Sequence, residues 1–264
     1  MSEDILTTPS NPASAGATVY LVGAGPGDAD LLTLKGARLL NQADVVIFDR
    51  LVSEEVLALI NEGAEKIYAG KGRNMHSIAQ SEINETLCKL AETHKTIVRL
   101  KGGDPFTFGR GGEEALYLVA RGVNVEVVPG ITSAAAAGAE LGLPLTHRGL
   151  ATSVRYVTGT CRKGDELDLN WQSLADPDTT LIIYMGLANI EAIAQNLMAA
   201  GLSGRTPAVA VESATTQTEK IFRGTLETLA AGVRAASFAP PTLFIIGKVV
   251  NVAAELEALN PGQD

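Results

Sequence analysis

Two glycine-rich segments of this 264-residue chain combine residue types that can hold a small molecule. The first, Gly23-Ala24-Gly25-Pro26-Gly27-Asp28, directly follows the apolar run Thr18 to Val22. A dinucleotide loop of the pattern G-x-G-x-x-G is the obvious rival, and Asp49 lies where an acid would hold a ribose. Two details oppose it: Asp28 replaces the third glycine and brings a negative charge to the place of a pyrophosphate, and Pro26 removes an amide donor. A tight strand-to-helix turn, with Asp28 or Asp30 near a helix start, is the plain structural alternative. The second segment runs from Val98 to Gly112, with five glycines between Gly102 and Gly112. Gly102 and Gly103 at a strand's end let a ligand approach the backbone, and Asp104 before Pro105 can accept hydrogen bonds from hydroxyls or an amine. That is more glycine than one turn needs, so the segment reads as a binding loop.

The elements that must position these loops alternate. Strand-like runs at Thr18 to Val22, Val45 to Phe48, Lys66 to Tyr68, Thr96 to Leu100 and Val123 to Val128 are separated by helical patterns at Leu31 to Asn41, Glu54 to Ile60, Ser77 to Thr93 and Glu113 to Arg121, with a further helix at Ser133 to Leu141. Ser77 and Gln80 have capping-box spacing. Strands alternating with helices imply crossover connections and a largely parallel sheet. After GLPLTHRG the pattern changes: Ser153 to Thr158, Thr180 to Met185, Ala208 to Glu212, Lys220 to Gly224 and Leu243 to Val250 are strand candidates, and only Ile190 to Ala199 and Leu226 to Ala235 look helical. More strands than helices imply antiparallel pairs. The expected architecture is therefore α/β in class: a disordered tail over residues 1–17, a first domain over 18–145 with a largely parallel sheet, and a second over 146–264 with a mixed sheet. Clefts between such domains are common ligand sites.

Composition narrows the partners. The chain carries 21 Lys plus Arg against 30 Asp plus Glu, a formal charge of −9, which argues against a nucleic-acid partner. With 46% hydrophobic residues it is an ordinary globular composition, not a disordered or fibrous one. Two cysteines, Cys88 and Cys161, give no disulfide framework and point to the cytoplasm. The first residues have neither the basic start nor the apolar run of a secretory signal. The apolar stretch Val128 to Leu145 is broken by Pro129, Gly130, Gly138, Gly142 and Pro144, so no membrane span is expected.

The motifs VGAGPGDADLLTLKGARLLNQADVVIFDRLVS, HSIAQSEINETL, VRLKGGDPFTFGRGGEEA, VVPGITSAAAAGAELGLPLTHR and TLIIYMGL together resemble the uroporphyrinogen-III C-methyltransferases, over about Val19 to Val250. GxGPGD and YMG belong to the wider tetrapyrrole methyltransferase superfamily, whereas GGDPFTFGRGGEE and PLTHR resemble the uroporphyrinogen branch. The resemblance implies the superfamily's fold of two α/β domains with S-adenosylmethionine in the cleft between them, and methylation of uroporphyrinogen III at C-2 and C-7 to give precorrin-2, with S-adenosylhomocysteine as by-product. That chemistry serves corrinoid, sirohaem or haem d1 synthesis. It also implies a homodimer, and without an added dehydrogenase or chelatase module the chain is expected to be the stand-alone form.

Carried over residue by residue, the resemblance implies that Pro26, Gly102, Gly103, Asp104, Thr107, Thr132, Ser133, Met185 and Ala214 hold the cofactor. Asp49 matches the proton acceptor and Lys71 the proton donor. Arg50, Arg73, Arg110, Arg148 and Arg155 are candidates for the eight carboxylates of the substrate, since a guanidinium pairs with carboxylate bidentately. One departure is Gly72 between Lys71 and Arg73, where the family usually has adjacent Lys and Arg. No metal is implied. Other readings stay open at this point: a methyltransferase on a later precorrin, a nucleotide-dependent oxidoreductase, or a non-catalytic S-adenosylmethionine-binding module.

Overall fold

The computed structural model describes residues 16–70, 79–160 and 167–259. The chain divides into two compact units, Met1–Thr132 and Ser133–Asp264.

The first unit has five strands, β1 (Thr18–Gly23), β2 (Val45–Phe48), β3 (Glu65–Tyr68), β4 (Thr96–Lys101) and β5 (Asn124–Val128). They lie in the order β3-β2-β4-β1-β5, with every neighbouring pair parallel. Helices on both faces explain why β1, β2 and β4 read as nearly continuous apolar runs rather than alternating ones. Leu39 and Leu40 of α1 (Leu34–Gln42) and Val56 of α2 (Glu54–Leu57) cover Val22, Val46, Val98 and Leu100. On the other face Ile83 and Leu87 of α3 (Gln80–Ala91) and Leu118 of α4 (Gly111–Val119) cover Val19, Leu21, Ile47 and Ile97.

Helix starts follow their caps more closely than their apolar period. The Asp28 carboxylate accepts from the Asp30 N–H at 2.8 Å and caps a short 3-10 turn, Ala29–Leu31; α1 begins only at Leu34, where the Thr33 hydroxyl accepts from the Gly36 N–H at 3.1 Å. The expected start at Leu31 thus merges two elements. Similarly, α3 begins at Gln80, with the Glu82 carboxylate accepting the Ala79 N–H at 3.1 Å; Ser77 lies outside the described residues.

The second unit contains α5 (Ser133–Glu140), β6 (Ser153–Thr158), α6 (Trp171–Leu174), β7 (Thr179–Tyr184), α7 (Ile190–Ala199), β8 (Pro207–Glu212), β9 (Lys220–Thr225), α8 (Leu226–Ala235), β10 (Thr242–Ile246) and α9 (Val250–Leu259). Its sheet runs β6-β7-β10-β8-β9; β6 and β7 are parallel and the other pairs antiparallel, the mixed sheet expected. Ile193 and Leu197 of α7 pack with Leu229 and Val233 of α8 on one face, and Ala134 and Ala137 of α5 with Ala253 of α9 on the other. Because the small residues of α5 pack into this second core, the division falls at Thr132, ahead of α5, rather than in the GLPLTHRG segment. Two helices, α6 and α9, have no counterpart in the sequence reading; β10 ends at Ile246, and Val249 and Val250, read as strand, lead into α9.

Candidate functional site

β1 and β4 are neighbours, yet α1 after β1 and α4 after β4 cover opposite faces of the sheet. Such a switch point opens a crevice at the carboxyl ends of the two strands, and both glycine segments sit there. They are stitched together: the Gly103 N–H donates to the Gly25 carbonyl at 2.7 Å, and the Gly25 N–H to the Gly103 carbonyl at 3.2 Å. The loop after β5 closes on them so tightly that a Cβ on Gly23 would lie 2.5 Å from Gly130 Cα. Three strand ends therefore meet as bare backbone, leaving amides and carbonyls as the local recognition groups.

Asp104 holds this cradle. Its Oδ1 accepts from the Phe106 N–H at 2.9 Å and the Thr107 hydroxyl at 3.0 Å, and its Oδ2 from the Gly130 N–H at 3.1 Å. A carboxylate has about four lone-pair positions, so three are committed inside the protein and at most one is left for a ligand. Asp104 thus builds the loop and keeps at most one acceptor position for a ligand. Gly102 is similar: a Cβ there would stand 2.5 Å from Leu51 Cβ, so the close approach it permits is to the turn after β2. Pro26 is half-buried and precedes Gly27, whose carbonyl accepts the Ser53 hydroxyl at 2.6 Å.

β2 is the other neighbour of β4 and parallel to it, so Asp49, directly after β2, stands at the same end of the sheet. Its Oδ1 accepts from the Leu51 N–H at 3.0 Å, and its Oδ2 lies 3.7 Å from Arg99 Nη2. The side chain is 27% exposed, enough to meet a solute. Arg99 belongs to a buried charge cluster absent from the sequence reading. The fully buried Glu114 accepts through Oε1 from Arg99 Nε at 3.3 Å, Lys101 Nζ at 3.0 Å and Gln80 Nε2 at 2.9 Å. Burial, with the Arg99 charge beside it, pushes the Lys101 ammonium below its ordinary range, against the opposing pull of Glu114.

Backbone strain marks the same loops. Phe108 and Arg110, on the segment after β4, have φ of 53° and 59°; in the second unit Met185 has φ 54°, and Ser213 and Thr215, flanking Ala214, have 51° and 63°. Non-glycine residues in this region cost about 1–3 kcal/mol each and gather at ligand-handling sites. Met185 is exposed and follows β7, Ala214 is buried and follows β8. Strands β6, β7 and β8 run in the same direction, so both residues sit at the end of the second sheet that also holds Gly159. Thr132 is the last residue of the first unit and Ser133 the first of α5.

The arginines behave unequally. Arg110 is half-exposed and donates twice to Glu113, from Nε at 3.0 Å and Nη2 at 2.6 Å; this raises its pKa and lowers that of Glu113. Arg155 donates through Nη1 to the carbonyl and the hydroxyl of Ser173, the latter at 2.7 Å. Arg50 and Arg148 are exposed. Lys71 and Arg73 lie outside the described residues, as does Cys161. His147 pairs through its backbone with Ala151. Among the described residues no cluster could hold a metal ion, and no helix is long and apolar enough to cross a membrane.

This geometry speaks against a dinucleotide site. The 3-10 turn after the first loop occupies the place where a helix N-terminus would meet a pyrophosphate, and Asp28 already fills its cap.

Comparison with known proteins agrees. The family model of the tetrapyrrole (corrin/porphyrin) methylases matches residues 18–230. The chloroplastic S-adenosyl-L-methionine-dependent uroporphyrinogen III methyltransferase of Arabidopsis thaliana is 52% identical over 237 residues, 89% of this chain and 64% of that protein. A siroheme synthase of Thioalkalivibrio sulfidiphilus is 47% identical over 262 residues, 99% of this chain and 53% of its own. The chain thus spans between half and two thirds of the length of these two curated relatives. The crystal structure of uroporphyrin-III C-methyltransferase from Thermus thermophilus, complexed with S-adenyl homocysteine, superimposes with a TM-score of 0.77 at 47% identity, covering 89% of this chain and 94% of that one.

Proposed function

The chain belongs to the tetrapyrrole (corrin/porphyrin) methylase family, and from that premise we propose that it methylates uroporphyrinogen III at C-2 and C-7, using S-adenosylmethionine and yielding precorrin-2. The observation that carries the reading is the meeting of the Gly23, Gly103 and Gly130 backbones beside Asp49 at one end of one sheet. A Cβ at Gly23 or Gly130 would collide with the facing backbone, so these glycines hold the strand ends together and leave a small ligand to be recognised by the backbone groups around them. S-adenosylmethionine supplies, when bound, a methyl group on a sulfonium that leaves as a neutral thioether, so neither a metal nor a covalent enzyme intermediate is required.

The chain's own residues have three tasks. On the family resemblance, Pro26, Gly102, Gly103, Asp104, Thr107 and Thr132 are the carried-over cofactor positions of the first unit, Gly102 and Asp104 by shaping its loop, and Ser133, Met185 and Ala214 are those of the second. The Asp49 carboxylate faces the positive charge that develops on the macrocycle as a pyrrole carbon forms its new bond to carbon, and then accepts the proton the macrocycle must lose. Lys71 is assigned the complementary proton donation on the family resemblance. Substrate carboxylates fall to Arg50, Arg73, Arg110, Arg148 and Arg155. Of these, Arg110 and Arg155 would exchange Glu113 and Ser173 for the substrate.

The same reading makes the protein a cytoplasmic homodimer. The free thiol of Cys88 fits a reducing compartment, and Leu116 and Val119, 76% and 59% exposed on α4, are apolar surface that a second copy could cover. The assignment of Asp49 is tested by Asp49→Asn. Binding of S-adenosylhomocysteine by calorimetry is expected to be unchanged while kcat falls about 10²–10⁴-fold. A wild-type rate would remove Asp49 from the mechanism.

A further inference from the structure

β4 places two cations, Arg99 and Lys101, two residues apart in an otherwise apolar strand, and both are only 3% exposed. Side chains two apart on a strand share a face, and here that face meets α3 and α4, which supply Gln80 and Glu114. Two buried cations against one buried carboxylate leave an excess positive charge. If stability alone mattered, apolar residues would fill this volume at less cost. The excess finds its anion at the carboxyl end of β2, where Asp49 Oδ2 lies 3.7 Å from Arg99 Nη2.

Arg99 is itself fixed on two further sides. Its Nη1 donates to the Leu100 carbonyl at 3.1 Å and its Nε to Glu114 at 3.3 Å, leaving Nη2 directed to Asp49. Asp49 is thus gripped between a turn amide on Oδ1 and a guanidinium on Oδ2. We propose that Arg99, anchored by Glu114 and the Leu100 carbonyl, is a positioning residue that holds the Asp49 carboxylate oriented for proton transfer. The inference rests on the reading of Asp49 as proton acceptor. Arg99 is too buried to touch the substrate and acts through Asp49 alone.

A double-mutant cycle on the full chain tests this, with active sites counted by S-adenosylhomocysteine titration so that misfolded protein does not lower the apparent rate. Arg99→Met keeps the aliphatic stem and leaves Glu114 paired with Lys101. It is expected to lower kcat about 10²-fold, the usual effect of misplacing a reacting group, with both KM values within about twofold. In the Asp49→Asn background the same change is expected to cost nothing further. Arg99→Lys, which retains the charge without the fork, is expected to recover part of the loss and serves as the folded comparison should Arg99→Met not accumulate. Additive losses in the cycle, or a Lys variant no better than Met, would overturn the proposal while leaving Asp49 in place. A wild-type rate for Asp49→Asn alone would instead overturn the reading on which it rests.

Discussion

Asp49, Asp104 and Gly102 occupy neighbouring strand ends but do different work. Asp49 keeps one oxygen toward a buried guanidinium and part of its surface toward solvent, as the proposed proton acceptor must. Asp104 spends its oxygens on the loop that surrounds it. Gly102 makes room for Leu51: Gly102→Ala is expected to destabilise the protein by about 1–3 kcal/mol in chemical denaturation, the cost of overpacking. Adding Leu51→Gly, which removes the opposing Cβ, is expected to return part of that stability; no recovery would mean that the glycine serves something other than this contact. The glycine motif announced close approach but not to what, because sequence spacing cannot distinguish a ligand from a neighbouring turn. The Arg99, Lys101 and Glu114 cluster is hidden in the sequence for a related reason. Charged residues are expected at the surface, and the available signal was the pair of cations two apart in a parallel strand whose faces are both covered.

Elements were more legible than their ends. The strands of the first sheet follow from apolar runs, and their parallel pairing from the helices between them. The split of the expected Leu31 helix into a 3-10 turn and α1 depended on which of Asp28 and Thr33 caps which segment, a matter of local hydrogen bonds. The start of α9 is masked in the sequence because Val249 and Val250 resume the β-branched character of β10 after Gly247 and Lys248. Between α1 and β2, Asp44 ties two elements together: its Oδ2 accepts from the Thr96 N–H at 2.8 Å and the Lys95 N–H at 2.9 Å, which hold its carboxyl below the usual 3.8. Asp44→Ala is expected to cost about 1 kcal/mol, a modest figure because the site is exposed. A lowered folded value means the contribution is complete above pH 3.8 and is lost as pH falls through the folded value. Denaturation midpoints of variant and wild type should therefore differ at pH 7 and converge in acid below 3.8; a difference that persists there would assign the effect to something other than the ionised carboxylate.

For the molecule as a whole, a net charge of −9 excludes nucleic acid more readily than it excludes a small polyanion. Charges separated by more than about 8–10 Å are screened at physiological salt, so local arginines can act against the average. The two-unit α/β architecture was read from the sequence, but its dividing point was not, since the alanines of α5 carry no sign of which core they join. What the whole chain is for turns on the product it forms. Incubated anaerobically with labelled S-adenosylmethionine and uroporphyrinogen III, the purified protein is expected to return a tetrapyrrole heavier by two CH2 units, with label in both added carbons. An unchanged tetrapyrrole mass would contradict the proposed activity outright, and a single added CH2 would contradict the double methylation at C-2 and C-7.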